Sequence, residues 1–141
     1  MIGAIGGRSR LSQNLVRGGY ENNRSRHPLA RRFPAERLVA YEVALEVLRE
    51  TKRVSEGWRG WGELKAQARD AALSAFLNVA EGGSMPPRSR RKLRHYDIAQ
   101  GSTGEVAAAM DAAEAVELER VDRRLIARLA LLIGGLTRSW R

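Results

Sequence analysis

From residue 37 onward, apolar side chains recur at intervals of three and four almost without interruption, and no segment alternates with a period of two. A period near 3.6 buries one stripe of a helix, whereas a half-buried strand needs strict alternation. The chain is therefore confined to an all-α fold. A first helix is predicted over 35–54, with Leu38, Tyr41, Leu45 and Leu48 along one stripe and Val39, Val43 and Val47 widening it. Gly57, Gly60 and Gly62 interrupt the pattern. A second helix follows over 61–81, with Leu64, Ala68, Ala71, Ala72, Ala75, Phe76 and Val79 on its apolar side. Gly82 and Gly83 are expected to end it as a left-handed C-cap. Met85-Pro86-Pro87 reads as a stiff connector, and Ser89 as the N-cap of a third helix reaching residue 115. A fourth helix is predicted over 122–140, with Asp122 as its cap. Four helices of about 20 residues joined by short connections predict an antiparallel up-down four-helix bundle over 35–141.

Residues 1–34 differ in kind. They carry seven arginines against the single acid Glu21, so this quarter of the chain holds +6 of the formal +9. Gly3, Gly6, Gly7, Gly18, Gly19, Pro28 and Pro34 interrupt it, and no helical or strand period is sustained. Such a segment buries too little apolar surface to offset its ordering entropy, and it is predicted to be a flexible tail. Its Arg-rich, acid-poor start has some character of an organelle transit peptide, and a misassigned start would also explain it. No basic residue precedes the short Met1–Ile5 apolar run, so no secretory signal is expected and the protein is placed in the cytoplasm. The run over 126–136 is broken by Arg128 and is too short to span a membrane.

Most site chemistry is excluded by what the chain lacks. There is no cysteine, and His27 and His95 are the only imidazoles. A di-iron centre in a bundle needs two Glu-x-x-His pairs, but the residue three before His95 is Lys92. Ser102, His95 and Asp97 do not form a nucleophilic triad, because Ser102 and His95 lie about 10 Å apart along one helix. No Walker lysine follows Gly82-Gly83. Glu81 and Glu105 remain as a possible carboxylate pair across helices, with capping or pairing to arginine as the plainer role. No metal, cofactor or enzyme activity is expected.

Positive charge is the one strong chemical signal. The isoelectric point is near 11.1, and only Lys52, Lys65 and Lys92 are lysines. A bias towards arginine and alanine also follows from GC-rich coding, so position is more informative than the total. Arg88, Arg90, Arg91, Lys92 and Arg94 put five cations within seven residues at the start of the third helix. Acids, not bases, are favoured at a helix N-terminus. A phosphate held there by free N–H groups and guanidinium forks would reverse the sign of that cost. A solvated charge run is the plainer reading. His95 and Tyr96 adjoin the cluster and are placed to stack on a base, although Tyr96 fits better in the core. No base-reading motif is visible, so contacts to the backbone of RNA or DNA are expected to dominate.

Three groups of residues carry a resemblance. Leu38-Val39-Ala40-Tyr41-x-x-Ala44 opens the first helix, and Leu64-x-x-Gln67-x-x-x-Ala71-x-x-Ser74-x-x-x-Asn78-Val79-Ala80-Glu81-Gly82 fills the second. Ala99-x-Gly101-Ser102-x-x-Glu105 lies in the third. Together they resemble the four-helix bundle protein family that includes 23S rRNA intervening-sequence proteins. The accessory variability proteins of diversity-generating retroelements are similar in fold. The resemblance covers 37–140. It implies an up-down bundle assembling as a ring, a homopentamer, with a basic surface towards nucleic acid and no enzyme activity. Asn78, Glu81, Ser102 and Glu105 are the matching polar positions, and a structural role is favoured over ligand contact. Asn78 and Ser102 would hydrogen-bond between the second and third helices, with Gly101 letting their backbones approach. Asp70 departs from the arginine usual in the family, and Lys92 from the acid that often follows the cap.

Self-association is also expected from the fourth helix, where Leu125, Ile126, Leu129, Leu131, Leu132, Ile133 and Leu136 cover more than one face. The main functional expectation is a non-catalytic ring that binds RNA or DNA through the five-cation cluster and the tail. The alternative is a structural or adaptor protein that docks on another protein without nucleic acid, with the tail folding on its partner. A membrane partner is not expected, because the tail lacks bulky apolar anchors.

Overall fold

The computed structural model describes residues 33–139. All but the last two residues of the predicted tail lie outside the described residues, as does Trp140. Among the described residues there are four α-helices and no strand: α1 Val39–Ser55, α2 Gly62–Ser84, α3 Arg90–Ala115 and α4 Arg124–Arg138. Each helix packs on the next, and α4 closes back on α1. This is a four-helix bundle.

The α2–α3 pair is its backbone. Ala68, Ala71, Ala72, Ala75 and Val79 of α2 and Ala99, Ser102, Val106, Ala109 and Ala113 of α3 are all buried. Alanines at the contact let two helices approach closely, and their low helix cost keeps both long. Cross-links at Ser74–Ser102 and Asn78–His95 run in opposite order along the two helices, so α2 and α3 are antiparallel. Tyr41 of α1 meets Phe76 of α2 with ring centroids 5.0 Å apart and planes tilted by 58°.

Helix ends follow local chemistry, with three differences from expectation. The first helix does not begin at residue 35. Pro34 opens a 3-10 turn, Pro34–Arg37, and Leu38 is extended before α1 starts. That turn buries Ala35 against Gly83. At its other end, α1 is tied to α2. The Arg69 guanidinium donates to Ser55 Oγ (2.8 Å) and to the Lys52 carbonyl (3.3 Å), placing a cation on the negative end of the helix.

Gly82 and Gly83 do not cap α2, which runs through both to Ser84. Their φ values are negative; Gly60 is the described glycine with a positive one, at 78°. They are needed for room. A Cβ on Gly82 would lie 2.6 and 2.8 Å from the Tyr96 ring, and one on Gly83 would lie 2.8 Å from Ala35. Gly101, by contrast, meets nothing within 4 Å, so it does not bring α2 and α3 together.

The apolar breadth of α4 is used within the chain. Ile126, Leu129 and Ile133 are buried, while Leu125, Leu132 and Leu136 are half-buried against the same core. Leu131 alone stands out, at 72% exposed. The two-sided face expected of this helix is thus a single broad stripe wedged between α1 and α3. The fourth helix does not begin at residue 122 with Asp122 as its cap: α4 starts at Arg124, with Arg123 in the N-cap position. Asp122, one residue earlier, instead accepts from the Arg124 N–H through its Oδ1 at 2.9 Å. Hydrogen bonds from the Arg124 side chain and backbone hold the Asp122 carboxyl down at about 2. No helix of the described residues is long and apolar enough to cross a membrane.

Candidate nucleic-acid interface

The connector after α2 turns through Pro86 and Pro87 and delivers five cations to the first turns of α3. Ser89 caps the helix as its residue type predicts, its Oγ accepting from the Lys92 N–H at 3.2 Å. The other N–H groups of a first turn have no carbonyl partner within their helix. Arg88, immediately before the cap, has φ of 57°. A non-glycine residue rarely sits there.

Arg88, Arg90, Arg91 and Arg94 are exposed, and Lys92 is half-buried with its Nζ 6.0 Å from the centroid of the Tyr96 ring. None of the five is within ion-pair distance of a described carboxylate. Elsewhere some cations are paired, Arg53 with Glu50, Arg123 with Asp111 and Arg124 with Asp122. Scattered ones such as Arg59, Lys65 and Arg128 also have no ion pair among the described residues; what sets the α3 start apart is that five such cations are clustered together. The α3 N-terminus is therefore a dense block of positive charge, made by side chains and helix dipole together. Such a block attracts anions with several oxygens, phosphates foremost.

The four motif positions are arranged differently. Asn78, Glu81 and Ser102 belong to one polar seam between α2 and α3. The Ser102 and Ser74 hydroxyls lie 2.8 Å apart. Asn78 Nδ2 donates to the Ser74 carbonyl at 2.9 Å, and Asn78 Oδ1 lies 3.0 Å from His95 Nδ1. Glu81 Oε2 is also 3.0 Å from that nitrogen. Both partners are acceptors, so Nδ1 carries the proton and the imidazole is locked in one orientation. Asn78 and Ser102 are thus joined through Ser74 rather than directly. Each hydrogen-bonded step along this seam fixes the register of α2 against α3.

Glu105 takes no part. It is exposed, with no hydrogen bond or ion pair among the described residues. It stands ten residues beyond His95, about 15 Å along α3, so Glu81 and Glu105 form no carboxylate pair. His95 is committed to Asn78 and Glu81, and Tyr96 is buried, so neither ring is offered for stacking as the sequence had allowed. Ser102 engages Ser74, not His95. Reading the sequence missed Ser74 and His95 as members of the seam. The i, i+4 spacing of Ser74 and Asn78 on one helix face was the available signal.

No protein-family model matches this chain, and no curated protein matches it.

Proposed function

We propose that the protein is a non-catalytic, cytoplasmic helical-bundle protein that binds RNA or DNA through backbone phosphates. Arg88, Arg90, Arg91, Lys92 and Arg94 make the contacts. One observation carries this reading: the five cations crowd the positive end of α3 with no described carboxylate to neutralise them. Phosphate oxygens would accept from the exposed guanidinium forks and from the free N–H groups of the first turn together. Sequence preference would be weak, because such contacts position a duplex or strand without reading its bases.

Assembly as a ring, with the five copies that the family resemblance implies, belongs to the same proposal. Leu73 and Leu77 on the outer face of α2, Ile98 on α3 and Leu131 on α4 are large exposed apolar side chains that another copy would cover. A ring would also repeat the cationic block around one rim, multiplying contacts to a single polymer.

Native mass spectrometry of protein purified with and without nuclease treatment tests both parts. The expected result is a closed set of copies in each preparation, with bound polymer removed by nuclease. A single 15.7 kDa species free of polymer in both would contradict the proposal. A complex that survives nuclease and retains a second protein would favour the adaptor reading.

A further inference from the structure

A cavity of about 270 Å³ lies beside the start of α3. Leu38, Pro87 and Leu136 give it apolar walls, Arg88 and Lys92 give it two cations, and Tyr96 closes one side. No carboxylate is among its described lining residues. Tyr96 is 2% exposed, and its hydroxyl is buried without a hydrogen-bond partner. Buried polar groups in folded proteins are nearly always paired, so an orphan at a cavity wall calls for an explanation.

The geometry supplies one. Helical side chains lean towards the N-terminus of their helix, which carries the Tyr96 phenol towards Lys92 and Arg88. The opposite side of the ring is set by Gly82, where its Cδ1 and Cε1 leave no room for a Cβ. The phenol is thus held in place with its donor unused. Lys92 Nζ and the Arg88 guanidinium are donors as well. Neither has a described carboxylate partner, and one negatively charged group would serve both together with the phenol. Lys92 sits on a flexible stem with its Nζ 6.0 Å from the centroid of the Tyr96 ring, so it can turn to meet an entering head group beside the phenol.

We propose that this cavity binds a small organic anion: an oxyanion head held by Arg88, Lys92 and the Tyr96 hydroxyl, and a compact apolar body lying against Leu38, Pro87 and Leu136. Phosphate monoesters and carboxylates share this chemistry. The inference does not rest on the nucleic-acid reading. Arg88 and Lys92 serve in both, but Arg90, Arg91 and Arg94 do not line the cavity.

Isothermal titration of the full chain with phenyl phosphate, benzoate and inorganic phosphate tests it. At least one of the two aryl anions binds about tenfold or more tighter than inorganic phosphate, because only they fill the apolar walls. Preference for phenyl phosphate identifies a phosphate head, and preference for benzoate a carboxylate. Tyr96→Phe weakens that binding about tenfold, the loss of one hydrogen bond to a charged acceptor. Its thermal midpoint stays level or rises, since the orphan hydroxyl is gone. Arg88→Gly, at a φ that suits glycine, keeps the fold and also weakens binding. Nucleic-acid affinity is unchanged in Tyr96→Phe, which separates the two sites. Absence of binding by both aryl anions, or equal affinity in Tyr96→Phe and the unmodified protein, overturns the proposal.

Discussion

Replacing Arg90, Arg91 and Arg94 together by Glu is expected to weaken RNA or DNA binding at least about a hundredfold at moderate salt, because three phosphate contacts become repulsions. The fold should not suffer. All three side chains are exposed, and no described carboxylate depends on them. At Arg90 and Arg91, in the first turn of α3, the helix dipole favours an acid over a base by about 0.3–1 kcal/mol per charge. Helicity by circular dichroism stays constant, and the thermal midpoint is level or slightly higher. Opposite signs for binding and stability are the mark of a charge cluster kept for a partner. A variant that binds as well as the unmodified protein would remove these arginines from the interface.

Gly82→Ala should destabilise the bundle by about 1–3 kcal/mol, the usual cost of forcing a methyl group into a filled core. At an exposed position inside a helix the same change gains about 1 kcal/mol, so the prediction is one of sign as well as size. The difference lies in Tyr96. Its ring atoms stand 2.6 and 2.8 Å from where the new Cβ would be, and the ring is itself buried. Neither α2 nor Tyr96 can shift without disturbing the His95–Asn78–Ser74–Ser102 seam that runs beside them. Gly101→Ala is the control: nothing lies within 4 Å of its Cβ, so it should be neutral or stabilising. Urea denaturation of the two variants measures both. A stable Gly82→Ala protein would mean that α2 and α3 are not packed as closely as described.

These two glycines show what the sequence could and could not reveal. The existence of four helices was legible, because periodicity is a local property and each stripe is long. The ends of α3 were legible for the same reason: Ser89 caps it through its own residue type. Gly82 and Gly83 were misread as a helix stop, because a glycine pair looks alike whether it supplies positive φ or an absent side chain. Which one applies depends on Tyr96 and Ala35, 14 and 47 residues distant from Gly82. Gly101 was misread in the opposite direction. The breadth of apolar surface on α4 likewise did not show that α1 and α3 would cover it from two sides.

For the candidate site, the run from Arg88 to Arg94 was visible as five cations in seven residues. Whether another helix would lay a carboxylate over them was not visible, since that is a property of the packed bundle. Among the matched motif positions, Asn78, Glu81 and Ser102 join the α2–α3 seam while Glu105 stays at the surface. The orphan Tyr96 hydroxyl had no signature at all, because an aromatic residue on an apolar stripe reads as core whether or not its oxygen finds a partner.

The central claim, that phosphates complete the cationic end of α3, is tested most directly by the salt dependence of binding. The quantity to measure is the slope of log affinity against log salt for duplex DNA, in the unmodified chain and in the Arg90/Arg91/Arg94→Glu variant. Each phosphate contact contributes about 0.9 to that slope, so the unmodified protein should show a steep negative slope that becomes shallower by about 3 in the variant. Affinity that is flat across salt, or a slope that is the same in both proteins, would contradict it.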